Sequence, residues 1–187
     1  MYKVKLTVGG QSQEQPFEIL MDPRSEASLE ELKQQFQFVR DVQSKIDETH
    51  QTIIDIRAIR QQMNHFKNFW KDDPAMKPLM EKADEIEKKI GKIENELYQT
   101  KNRSGQDPLN FPIKLNNKLA GVGSAVNQGN FGPTKQATQV KEQLTKQIDD
   151  QLKQYQEVIS NDLPALNRMV KEKGTDAIQL KQEKKSS

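Results

Sequence analysis

The apolar residues between Leu29 and Phe66 constrain this chain more than any other feature. Leu29, Leu32, Phe36, Val39, Val42, Ile46, Ile53, Ile56, Ile59, Met63 and Phe66 recur at helical gaps, with one turn bridged by Thr49. That spacing puts them on one face of a helix of roughly forty residues, a rod that needs partners along its length. Ser28-x-x-Glu31 reads as the capping box that starts it. Phe38, Ile54 and Phe69 fall off this seam and predict a second contact face near them.

The partners follow in order. Lys71-Asp72-Asp73-Pro74 breaks the pattern, and a second stripe then runs through Met76, Leu79, Ala83, Ile86, Ile90, Ile93 and Leu97. Asp84 with Lys88 and Glu85 with Lys89 stand at the i,i+4 spacing of surface ion pairs, worth ~0.2–0.5 kcal/mol each. A short third stripe holds Leu115, Leu119, Val122 and Val126. Gly121 and Gly123 cost that helix about 1 kcal/mol each relative to Ala, which is worth bearing where a neighbouring helix crosses closely. A turn at Gln128–Pro133 leads to a fourth stripe at Val140, Leu144, Ile148, Leu152, Tyr155 and Ile159. Asn161-Asp162-Leu163-Pro164 either kinks that helix or recaps a fifth carrying Leu166, Met169 and Val170, with Gly174 as the stop.

Stripes joined by turns predict a mainly α fold: an elongated antiparallel up-down-up-down four-helix bundle. Helices 1 and 2 are the longest and form a hairpin whose far end protrudes beyond the short third helix. The hydrophobic fraction of 33% is low beside the usual ~45–50%, and a bundle tolerates this because each helix buries only a stripe.

Ahead of the helices, Tyr2, Val4, Leu6 and Val8 alternate with Lys3, Lys5 and Thr7, and Gly9-Gly10 suits a tight hairpin turn. The return strand alternates through Phe17, Ile19 and Met21, and Pro16 belongs on an edge or at a bulge because it cannot donate to a ladder. A lone hairpin is marginal in water, so this one is expected to be the last hairpin of a preceding Ig-like β-domain. The expected divisions are 1–23 for the hairpin, 24–175 for the bundle and 176–187 for a frayed polar tail.

With 29 basic and 27 acidic residues intermixed, no basic face large enough for nucleic acid stands out. Zero Cys excludes disulfides and thiol chemistry, and no apolar run approaches the ~20 residues of a membrane span. His50 and His65 lie too far apart for a shared metal site. Gly121-Val122-Gly123-Ser124 lacks the preceding strand and the following Gly-Lys of a phosphate loop. Asp72-Asp73 and Asp149-Asp150 read as a helix cap and a solvated face, so no catalytic, cofactor-binding or metal-ligating residue is expected.

The stretch Arg103–Ala120 is more specified than a connector needs, with two prolines, one glycine and three asparagines in eighteen residues. Structurally, Asp107 can cap, the prolines fix the path, Phe111 can plug the bundle end, and the asparagines can satisfy loop carbonyls. Functionally, Ser104, Gln106, Asp107, Asn110, Asn116 and Asn117 can contact a sugar, a peptide or a partner at the bundle mouth.

YKVKLTVGG…PFEILMDPR, QTKNRSGQDPLNFPIKLNNKLAGV and NDLPALNRMV resemble the C-terminal helical region of large secreted bacterial proteins. Those proteins carry BNR-repeat, sortilin-like β-propellers and are commonly labelled glycosyl hydrolases. The resemblance spans nearly the whole chain and is strongest from Ser104 to Leu119. It implies an extracytoplasmic location and a non-catalytic accessory role in scaffolding, interdomain packing or partner binding. The hydrolase label belongs to the propeller, so no catalytic residue is carried over. Two other readings stand beside this one: a contribution to a glycan cleft formed mainly by the propeller, and a free-standing coiled-coil adaptor. The implied partners are other domains of the same parent chain, and the exposed hairpin edge adds a weak homodimer as a further expectation.

Overall fold

The computed structural model describes residues 1–174. The chain is mainly helical, with a two-stranded antiparallel hairpin at the front. Strand β1 spans Tyr2–Val8 and β2 spans Gln11–Phe17, so the return strand is shorter than its alternation suggested. Gly9 and Gly10 both take positive φ, 57° and 84°, as a type I′ turn demands of its two central residues.

Helix α1 spans Leu29–Trp70 and its capping box is formed, the Ser28 hydroxyl accepting from the Glu31 amide while Glu31 accepts from Ser28. Helix α2 spans Lys77–Leu97 and buries every residue of its sequence stripe except Met76, which is buried in the 3-10 turn just before it. Helix α3 spans Leu115–Val126. Helix α4, Lys135–Glu157, runs through a π-helical turn at Val158–Asp162 into α5, Leu163–Glu172. The segment Asn161–Pro164 therefore neither recaps nor breaks the rod. The wider π turn precedes Pro164, whose missing N–H falls where the i→i−4 ladder is already interrupted. Gly174 follows at φ 64°, as a helix stop should. The expected tail at 176–187 lies outside the described residues.

Cross-helix pairs fix the directions. Lys67 reaches Asp84 and Glu87, whereas Arg57 and Arg60 reach Glu94, so α1 and α2 are antiparallel. Gln35 donates to the Val126 carbonyl, Val42 faces Gly123 and His50 meets Asn116, so α3 is antiparallel to α1 as well. Asp41 pairs with Lys141 and Lys45 with Asp149, which makes α4 parallel to α1. The expected up-down-up-down order is thereby corrected. Helices α2 and α3 run in the same sense, end to end along α1, and α4 with α5 forms the third rod. Among the described residues the α1–α2 hairpin does not stand alone at its far end: Lys82 and Lys89 of α2 pair with Asp162, and α5 continues along α2 from there.

This arrangement also corrects the reading of α1. Phe36 of the predicted stripe is 66% exposed, while of the residues expected on a second contact face Phe38 is buried and Ile54 is exposed. A single stripe presumes a single neighbour, but α1 faces α3 and α4 at one end and α2 further along. Thr49 and Thr52 are buried on this face, and each hydroxyl donates to the carbonyl four residues back, at 2.7 and 3.0 Å. The proposed Asp84–Lys88 and Glu85–Lys89 pairs are replaced as well. Asp84 bonds Lys67 at 2.8 Å, Glu85 bonds Lys82 at 3.0 Å and Lys89 bonds Asp162 at 2.6 Å. Most of these carboxylates and amines bridge helices rather than line one.

Of the two glycines in α3, one is explained by close packing. A Cβ on Gly123 would sit 2.8 Å from Val42 Cγ1, whereas one on Gly121 would meet nothing within 4 Å. Val42 is β-branched and stiff in a helix. Gly123→Ala should therefore destabilise by up to about 2 kcal/mol, the overpacking of about 1–3 kcal/mol being offset by the ~1 kcal/mol propensity gain. In a urea-monitored double-mutant cycle with Val42→Ala, the pair should cost less than the sum of the singles. Strict additivity would mean that the helices do not meet there.

Candidate functional site

The segment between α2 and α3 lies beside the middle of α1, not at a bundle end. Gln99 organises it. Its side chain is buried, donating to the Pro112 carbonyl at 2.8 Å and accepting from the Lys101 amide at 3.2 Å. One amide thus ties the loop's entry to its exit. Asp107 organises the tip, accepting from the Arg103 amide and from the Ser104 amide and hydroxyl, the latter two both at 2.8 Å. The Arg103 amide foremost, then Ser104, holds the Asp107 carboxyl below its usual range. A 3-10 turn at Asp107–Leu109 follows. Phe111 is half-buried with Lys101 Nζ 5.7 Å from its ring centre, rather than plugging a bundle end.

Asn116 is buried, but it does not serve the loop carbonyls. Its amide nitrogen meets His50 Nε2 at 3.3 Å and its oxygen accepts from the Asn117 amide at 2.7 Å. His50 packs edge-on to Tyr98, and the Arg57 guanidinium lies 5.2 Å from the Tyr98 ring centre. Arg57 and Arg60 then close on Glu94, whose side chain is 4% exposed, both at 2.7 Å. A polar chain thus crosses the junction of α1, α2 and α3. It holds the two shorter helices in register along the long one.

Beside this junction lies an open cleft of about 620 Å³ between the loop and α4, lined in part by Asn95, Gln99, Phe111, Lys118, Gln147 and Gln151. The sequence candidates are distributed elsewhere. Ser104 and Asp107 bond within the loop tip, Gln106 and Asn110 are exposed on it, Asn116 is turned to His50, and Asn117 is exposed on α3. None of the six lines the cleft. Gln147 and Gln151 carry no local signal, since in sequence they look like an ordinary polar helix face. The cleft offers amides, a few charges and one aromatic wall, a surface for contact without a nucleophile–base pair. Among the described residues no group of three or more His, Asp or Glu could hold a metal ion, and no described helix is long and apolar enough to cross a membrane.

The hairpin is the second candidate. Every residue of both strands is exposed. Tyr2, Val4, Leu6 and Val8 share one face, 56–69% exposed, and Phe17 stacks on Tyr2 with ring centres 5.6 Å apart. Ile19, Leu20 and Met21 extend the uncovered apolar surface. The other face is polar, with Lys3 bonded to Glu14 at 3.4 Å and the Thr7 and Ser12 hydroxyls 2.8 Å apart.

Comparison with known proteins gives no matching family model, no matching curated protein and no matching solved structure.

Proposed function

We propose that this chain is a non-catalytic structural module whose helical body carries a β-hairpin for docking onto another domain. The observation that carries this reading is the contrast between the two parts. The helices close their core on themselves, whereas the hairpin leaves the apolar row Tyr2, Val4, Leu6 and Val8, with Phe17, in water on a face it shares with Gln11, Gln13 and Gln15. Uncovered apolar surface of this kind, clustered rather than scattered, is characteristic of interaction sites. An isolated hairpin is also too small to be stable alone. The sequence resemblance supplies the setting we propose: an accessory module of an extracytoplasmic, propeller-bearing protein, with the neighbouring domain of the same parent as the partner.

The test is thermal unfolding by far-UV circular dichroism, comparing residues 1–187 with a form that begins at Ser25. Equal helical melts are expected, since no helix depends on the hairpin for its core. A much lower melt for the shorter form would make the hairpin part of the helical fold and remove the docking reading.

A further inference from the structure

The two edges of the hairpin are not equivalent. Counting from the Val8–Gln11 pair that closes the turn, Tyr2–Phe17, Val4–Gln15 and Leu6–Gln13 are the hydrogen-bonded pairs, and Lys3–Pro16, Lys5–Glu14 and Thr7–Ser12 are the non-hydrogen-bonded ones. Residues of the second set point their backbone groups away from the partner strand. On β2 that outer row is broken, because Pro16 has no N–H to offer. On β1 the row at Lys3, Lys5 and Thr7 is complete, and among the described residues no other strand pairs with it. A third strand can therefore add only beside β1 with full pairing.

Charge says what that strand must carry. It would lay one set of side chains beside Tyr2, Val4, Leu6 and Val8, and the alternate set beside Lys3, Lys5 and Thr7. Glu14 is the only acidic residue facing these lysines across the hairpin, bonded to Lys3 and opposite Lys5. A second copy of β1 fits poorly. In the antiparallel registers that match apolar face to apolar face and pair the whole row, Lys3 falls opposite Lys5 or Lys5 opposite Lys5, and like charges directly opposite are destabilising. Only a register slipped toward the turn, with Lys5 opposite Thr7 and Lys3 opposite Gly9, avoids this. A shift by one residue would set lysines against the apolar row.

We propose that the outer edge of β1 is a strand-acceptor site for a partner segment alternating apolar residues with Asp or Glu, while Lys3 and Lys5 discourage self-pairing. This rests on the hairpin being a docking element and specifies its partner. Addition of an extended segment to an open sheet edge is a recurring mode of recognition, in which the backbone supplies affinity and alternate side chains supply specificity.

The experiment uses the full chain and two labelled synthetic octapeptides, one alternating Val with Glu and one alternating Val with Lys, with binding read by fluorescence anisotropy. The Glu peptide should bind about tenfold more tightly than the Lys peptide, and a K3E/K5E variant should reverse that preference. Lys5→Pro removes an outward N–H at a position where the hairpin ladder does not need one. It should abolish binding while the Tyr2–Phe17 contact persists by NMR. Equal binding of both peptides, undiminished binding to Lys5→Pro, or no binding at all would overturn the proposal. So would dimerisation of the full chain, seen by sedimentation, that Lys5→Pro abolishes. If the edge fails these tests while the two melts coincide, the docking reading stands and the contact lies on the apolar face instead.

Discussion

Replacing Arg57 and Arg60 together by Ala is expected to destabilise the protein by about 3–5 kcal/mol, the range for stripping a buried charge of its partners. The reason is Glu94. Its side chain is 4% exposed and bonded to both guanidinium groups, so their removal leaves a carboxylate among Ile90, Ile93 and Leu97 with no cation. Arg57 alone matters less, since its side chain is 51% exposed and spends part of its length on the Tyr98 ring. Adding Glu94→Gln to the double variant should recover part of the loss, because a buried amide is cheaper than a buried carboxylate. Urea titration followed by circular dichroism measures each step. A loss below about 1 kcal/mol for the double variant would mean that water reaches Glu94.

Phe38→Ala should cost about 3–5 kcal/mol, and Phe36→Ala less than about 0.5 kcal/mol. Both residues lie on the same helix two positions apart, and composition offers no reason to separate them. The structure does. Phe38 is 4% exposed in the core, with Lys141 Nζ 4.6 Å from its ring centre, and Phe36 faces solvent. Lys141 is in turn fixed by Asp41, whose carboxyl that bond, more than the one from Gln37, holds below its usual range. Comparable losses at the two positions in the same urea titration would restore the single-stripe reading of α1.

That pair of residues marks how far the sequence could be read. The existence of helices α1 to α4, the capping box at Ser28 and the whole inner face of α2 were legible, because each depends on neighbours within a few positions. The passage from α4 into α5 was left open between a kink and a fresh cap. The direction of α3 was not. A turn rich in Gly, Pro and Asn is read as a reversal, yet this loop is closed by Gln99 on Pro112 and sends the chain onward in the direction it came from. Once that direction is missed, the partners of α1 change along its length: Val42, Thr49, Ile53, Ile56 and Met63 of the predicted seam are buried, but at its N-terminal end burial falls on Phe38 rather than on Leu29 and Phe36. The loop candidates met a similar limit. Asp107 was legible as a local cap, but Asn116 depends on His50 and the cleft depends on Gln147 and Gln151, residues far away in the chain.

The end-to-end placement of α2 and α3 along one 42-residue helix sets where this chain can change length. A residue inserted within α1 turns everything beyond it by about 100°, so one of the two short helices would then face the wrong side of its neighbour. A residue inserted at the exposed loop tip around Gly105 turns nothing, since both helices keep their own phase against α1. Variation among descendants of such a chain should gather in that loop and spare the long rod, which acts as the ruler for the rest.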